Sequence, residues 1–531
     1  MSRKGEIRYA LFVLLMIGFV FAPIAARAEP AGAELLASSS FEDIRRGAEA
    51  LAASGDPRAA QMLSALQEGK LFVRPNKTLL IKTQAGWTDA LTGGDVPDAG
   101  NPRQVRVNNA VRRALDAALG ALQLFAPDPG LRAAAAEAVF KARDASALPA
   151  LNRAIAQEKD RAIRRTMEQA RAAALLSSPN ASDTDRLAAI ATLRKRGDID
   201  SRALLSTLSG QSAPVATAAA SAVSLIDRNL RLWALLQDAY YGVSLGSVLL
   251  LAATGLAITF GVMGVINMAH GELVMLGAYT TFLVQQAVRG YAPSLFGASL
   301  FIAIPLAFLV AGGAGVVIER GLIRFLYGRP LETLLATFGL SLILQQAVRS
   351  VFGPTNRSVS TPDWMSGATQ LGGLTLTWNR LCIILFAIAV LAALMAALRF
   401  TTLGLRMRAV TQNRRMAAAM GIRAPWIDAL TFGLGSGVAG MAGVALSQID
   451  NVSPNLGQGY IIDSFMVVVF GGVGNLWGTA LGALTLGVLN KFLEPVAGAV
   501  LGKIVVLVLL ILFIQRRPRG MFPLKGRAIE A

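Results

Sequence analysis

The chain has 531 residues, of which 54% are hydrophobic and 16% charged, and a formal net charge of +18. This is too long for one typical domain and too apolar for an ordinary soluble enzyme. The positive charge does not point to nucleic acid: from Gln237 onward 10 acidic and 20 basic side chains remain of the totals of 33 and 51, and the cations lie between apolar runs, as a positive-inside bias requires.

Residues 1–28 read as a secretory signal peptide. Arg3, Lys4 and Arg8 form a basic start, Leu11 to Phe21 an apolar stretch, and Ala26-Arg27-Ala28 a small-x-small cleavage site. An uncleaved anchor helix is the alternative, and in both cases the following residues are exported.

Residues 29–230 contain no run long enough to span a bilayer. Ala, Leu and Arg recur at helical spacing, punctuated by Asp128-Pro129-Gly130, Ser178-Pro179-Asn180 and Gly197-Asp198. Paired helices at a period of roughly 30–40 residues predict a helical, HEAT-like periplasmic domain. One insert, Lys70 to Lys82, alternates and turns like a β-hairpin. With no histidine and no cysteine, this domain reads as an interaction module.

Residues 231–531 change character. Apolar runs at 243–266, 272–288, 297–318, 331–352, 381–398, 427–447, 459–474, 477–493 and 499–515 predict an all-α, polytopic membrane domain with about eight or nine spans. The run at 459–474 is short enough to be re-entrant. Basic loops at 319–330 and 399–424, and a tail carrying Arg516, Arg517, Arg519, Lys525 and Arg527, are expected on the cytoplasmic side of an inner membrane. The cation-poor loops at 353–380 and 448–458 are expected outside. The lone Cys382 allows no internal disulfide and no cysteine metal cluster.

Within this domain Asn267, His270 and Glu272 sit between two apolar runs. Ionisable groups facing hydrocarbon cost roughly 2.5 kcal/mol or more, so the stretch is either a turn between spans or the break of a discontinuous helix. Counting spans from an exported amino terminus puts it near the inner side, as a turn or gate. One His and one Glu cannot fill a zinc site, so no metal is expected. Asp463, with no local partner, is a further candidate for the pathway. Lys491 and Glu494 are spaced to neutralise each other. The series Gly433, Gly437 and Gly440 allows close helix packing.

The stretch Gly404 to Ile422 predicts a helix ending at Gly421, with arginines such as Arg408 on one side and Ala409, Ala417 and Ala418 among its small residues. From the residues alone it is either a docking element for a partner or a basic surface helix on anionic lipid.

Ala417, Ala418 and Gly421 resemble the ATPase-coupling loop of bacterial ABC importer permeases, although Met416 stands where a glutamate often precedes the alanines. Ile266 to Glu272, the preceding Phe260 to Val265, and the later Phe470 to Asn475 and Gly478-x-x-x-Gly482 resemble the branched-chain amino acid permease family over about residues 238–525. Gly433 to Gly440, Tyr460 to Val469 and the exported extension look most like its urea-type subunit. The resemblance implies a second homologous permease, two ATPase subunits and a periplasmic solute-binding protein as partners in the membrane lipid. No P-loop occurs, since Gly502-Lys503 is followed by Ile504 and Gly69-Lys70 by Leu71, so ATP would be hydrolysed in other chains and no cofactor is expected in this one. Urea is the expected solute. The alternatives are a branched-chain amino acid or short amide permease, a passive urea channel, and a membrane-anchored scaffold.

Overall fold

A computed structural model describes residues 32–54, 57–83 and 86–522. The expected signal peptide with Ala26 and Ala28, and the tail cations Lys525 and Arg527, lie outside the described residues. The chain divides into two compact units between Leu230 and Arg231.

The first unit is built from short helices whose ends are set by the punctuation in the sequence. Asp128 caps Pro129–Ala142 by accepting from the Gly130 N–H, and Asp160 caps Arg161–Ser177 through Ala162 and Ile163. Gly197, at φ 70°, ends Asp183–Arg196, and Asp198 at once caps Ile199–Ser206. Met167, Ala173 and Leu193 on these helices are fully buried. Arg196 fastens three of them, pairing with Glu137 and Asp198 and lying 3.8 Å over the Phe140 ring.

The hairpin expected at 70–82 is present, with β1 (Leu71–Val73) antiparallel to β2 (Leu79–Lys82). It belongs to a five-stranded sheet in the order β4-β3-β2-β1-β5, completed by β3 (Trp87–Asp89), β4 (Asp95–Val96) and β5 (Arg103–Gln104). The chain is mostly helical, as expected, and this small sheet is an addition to the first unit. Strands β3, β4 and β5, of two or three residues, are too short for a period-2 pattern to be read from sequence.

The second unit contains α1 (Ala213–Met263, which begins before the unit boundary), α2 (His270–Tyr291), α3 (Ser299–Gly321), α4 (Pro330–Phe352), α5 (Trp378–Phe400), α6 (Thr402–Gln412), α7 (Arg414–Ala419), α8 (Ala424–Leu446), α9 (Leu456–Gly471) and α10 (Leu476–Arg516). Six of these are long and apolar enough to cross a membrane: α1, the stretch containing α3, and α4, α5, α8 and α10. The count is lower than eight or nine for local reasons. Helix α9 has only 16 residues, α2 carries too many polar residues, and the runs at 477–493 and 499–515 count once within α10 although they are two helices that meet at Gly498. That helix is broken at Gly498, whose φ of 77° and ψ of 164° suit only glycine. A β-carbon on Gly502 would lie 3.5 Å from that of Leu493, whereas nine residues of straight helix span about 13 Å. The chain therefore turns back at Gly498.

Helix α8 is the centre of the unit. A β-carbon on Gly277 would sit 2.0 Å from the Gly440 carbonyl oxygen, one on Gly435 2.6 Å from that of Gly255, and one on Gly437 2.6 Å from the Phe308 ring. The glycine series thus lets α1, α2 and α3 meet α8 at backbone distance. The three basic loops gather at one end of the bundle: Arg320 lies 4.4 Å over the Trp426 ring and Arg414 5.1 Å over Tyr327, while Met521 donates to the Phe470 carbonyl. The opposite end collects 353–380 and 448–458, where the Arg357 and Val452 backbones pair.

One prediction concerns the first unit. Glu158 is buried, with its side chain only 4% exposed. Hydrogen bonds from Arg132, at 2.6 and 3.2 Å, outweigh the burial and hold its carboxyl below the usual value of about 4.5. The stability this supplies is complete above that value and is lost as the pH falls below it. The low-temperature shift of the melting midpoint between about pH 5 and pH 3 is expected to be smaller in Glu158→Gln than in the parent, as read by circular dichroism of the detergent-solubilised chain.

Candidate functional site

The stretch before α2 does not lie at the end of α1. After Met263, Gly264 adopts φ 68° and the chain runs back unwound to His270. There the imidazole Nε2 is 2.9 Å from the Ala252 carbonyl, eleven residues and about 16 Å back along α1. A carbonyl can only accept, so Nε2 carries the proton and Nδ1 is left without a hydrogen-bond partner. This corrects the expected inner turn: Asn267 to Glu272 re-enters the bundle, and α2 begins within it.

Asn267, His270 and Glu272 are each 1% exposed. The Asn267 Oδ1 accepts from the Ala269 N–H at 3.0 Å and fixes the entry into α2. Ser341 Oγ and Gln345 Nε2, one turn apart on α4, donate to Glu272 Oε1 at 2.9 and 2.6 Å. Thr337, one turn earlier, accepts the Met268 N–H at 3.1 Å. A polar stripe of α4 therefore satisfies the unwound segment, and Glu272 in the first turn of α2 complements the helix dipole. The α4 partners were not singled out from sequence, although Thr337, Ser341 and Gln345 stand at the i, i+4, i+8 spacing of one helix face.

Beside this segment opens a cleft of about 230 Å³, lined by Leu256, Ile266, Asn267, Met268, Leu334, Ile461, Ile462 and Phe465. Asn267 is the one polar residue among them. Asp463, on the same helix as Phe465, is buried and does have a partner: Lys503 Nζ, 3.0 Å away, from beyond the Gly498 reversal. The pair Lys491 and Glu494 forms as its spacing predicts.

The single helix expected to end at Gly421 is two. Asn413, in extended conformation, ends α6 and caps α7 by accepting from the Met416 N–H. Gly421, at φ 86°, closes α7 with Gly421 N–H to Ala418 and Ile422 N–H to Ala417 carbonyl bonds, a Schellman arrangement. Ala417 is buried with Met407, Val410, Ala424 and Ile427, and Ala409 packs against the same cluster. Arg408 turns back to the Leu398 carbonyl at 2.7 Å. Ala418 and Gly421 stay exposed beside Met416 and Met420, 61% and 78% exposed, so α7 projects a small apolar knob between arginines.

Among the described residues, six candidate spans around a buried polar centre define a polytopic α-helical membrane protein. The family model described as "Branched-chain amino acid transport system / permease component" matches residues 239–514, and the chain belongs to that family. The high-affinity branched-chain amino acid transport system permease protein LivH of Salmonella typhimurium is 31% identical over 296 residues, covering 54% of this chain and 94% of that protein. The corresponding BraD of Pseudomonas aeruginosa is 30% identical over 291 residues, covering 54% and 95%. The ribose import permease protein RbsC of Escherichia coli is 28% identical over 265 residues, covering 47% and 75%. No solved structure matches the chain. The relatives are permease proteins, not enzymes.

The hydrogen bonds at Glu272 carry a prediction. Glu272→Leu strands two buried donors and is expected to cost about 1–3 kcal/mol, while Glu272→Gln, which keeps an acceptor oxygen, costs less. Thermal denaturation of the detergent-solubilised variants, followed by size exclusion, measures the difference.

Proposed function

We propose that this chain is the membrane-spanning subunit of an ATP-driven importer for branched-chain aliphatic amino acids. Family membership supports transport of this kind, and the cleft beside Asn267 carries the choice of solute. Its aliphatic and aromatic walls suit a branched side chain, whose burial gains about 1.5–3 kcal/mol. Urea, expected from the likeness to the urea-type subunit, has no apolar part to set against these walls, in which Asn267 is the one polar residue.

In this reading the end with the basic loops faces the cytoplasm. Residues 29–230 form an exported, HEAT-like interaction domain following the signal peptide. The knob on α7 inserts into an ATPase subunit. A second homologous permease completes the pathway, two ATPase subunits supply the energy, and a periplasmic binding protein delivers the solute. Closure of the ATPases moves α7, and the helices around α8 rock to alternate access. Asn267, His270 and Glu272, held at the unwound start of α2, form the gate.

Two measurements test this. In a strain lacking only this chain, its restoration is expected to recover uptake of labelled leucine, with isoleucine and valine competing and urea inert. Competition by urea with no leucine uptake would reverse the assignment of the solute. Gly421→Asp adds a charge and a side chain at the left-handed cap of the knob. It is expected to abolish uptake with the membrane level of the protein unchanged on immunoblots, and normal uptake would sink the coupling role of α7.

A further inference from the structure

The knob must be fastened to the membrane helices if its movement is to open them, and α7 is an unusual lever. It has six residues, with non-helical Asn413 on one side and the left-handed Gly421 on the other, so neither α6 nor α8 drives it through continuous backbone. Its burial in the bundle is confined to Ala417. A second attachment is electrostatic. Both guanidinium Nη atoms of Arg414 reach the carboxylate of Asp428, one of them at 3.3 Å, in the two-pronged geometry that fixes orientation as well as distance. The side chain of Asp428 is 2% exposed while that of Arg414 is 47% exposed, so the pair runs from the surface knob into the bundle.

The surroundings extend the link. Arg414 lies over the Tyr327 ring, and the Tyr327 hydroxyl donates to Glu319 at 3.3 Å, near the end of α3. Glu319 is itself 1% exposed. Asp428 stands in the second turn of α8, five residues before Gly433. From Gly433 onward α8 touches α3 at Gly312 and Phe308, α1 at Gly255 and α2 at Gly277, all at backbone distance. Contacts this close transmit displacement because nothing between them can compress.

We propose that Arg414 and Asp428 are the positioning pair through which movement of α7 is delivered to α8 and, by way of Tyr327, to α3. Arg414 is not part of the surface that meets the ATPase. It makes the docked knob pull on the gate. The proposal rests on the coupling role of α7 given above.

The test uses the whole importer, reconstituted in proteoliposomes with its ATPase subunits and binding protein. The double variant Arg414→Gln with Asp428→Asn removes both charges at nearly constant size, so that no unpaired charge is left buried. It is expected to retain the ATPase subunits on purification and to keep the unstimulated rate of ATP hydrolysis. Stimulation by leucine-loaded binding protein is lost, and leucine uptake falls by about tenfold or more. Arg414→Lys, which keeps the charge without the fork, recovers part of both. Wild-type stimulation and uptake in the double variant would overturn the proposal. So would loss of the ATPase subunits from the complex, which would make the pair part of the docking surface. Gly421→Asp separates the two readings: if it still binds the ATPases and transports, the coupling role of α7 fails whatever the Arg414 variants do.

Discussion

The second unit depends on the approach of α8 to three neighbours at backbone distance. In lipid the hydrophobic effect does not drive one apolar helix onto another, so association relies on dispersion and on how closely backbones can come. Gly277 facing Gly440, and Gly255 facing Gly435, remove the side chains that would hold the helices apart. The consequence is a rigid centre with no slack. The more adaptable parts, α7 and the loops around it, lie at one end of that centre and act on it through a few polar contacts.

Those contacts share one feature. A buried acid of the bundle finds its partner on another element: Asp463 with Lys503, Asp428 with Arg414, and Glu272 with the hydroxyl and amide of α4. In the first two pairs the acid is buried and the base about half exposed, so the cation keeps some hydration while the carboxylate gains a partner. This limits the desolvation cost that makes fully buried pairs a poor source of stability.

Much of this was legible in the residues. The glycine spacing announced close packing, the alanines and Gly421 announced a capped helix at the surface, and the order of motifs announced the permease family. Three features were not. The depth of His270 could not be read, because six residues after a helix can either turn away or run back along it, and only the Ala252 carbonyl decides. The break at Asn413 sits in a stretch with good helix formers on both sides, where a cap and an exposed polar helix residue look the same. The partners of Glu272 and Asp463 lie 40 to 73 residues away, beyond any local spacing rule. Local chemistry was visible, and long-range satisfaction was not. Of the small sheet in the first unit only the β1–β2 hairpin was legible, the other strands being too short to carry a pattern.

The unwound segment before α2 also constrains how the protein is made. When α1 and α2 first enter the bilayer, Asn267, His270 and Glu272 go in with them, and the groups that satisfy Glu272 on α4 have not yet been inserted. Until α4 arrives, 69 and 73 residues later at its two contact points, that carboxylate has to stay near water or within the insertion machinery, because bare hydrocarbon does not tolerate it. The native path of α2 is therefore a late event in biogenesis, reached only after the third membrane helix beyond α1 is in place. Truncation of the nascent chain before α4 would leave a substrate for quality control rather than a smaller folded bundle.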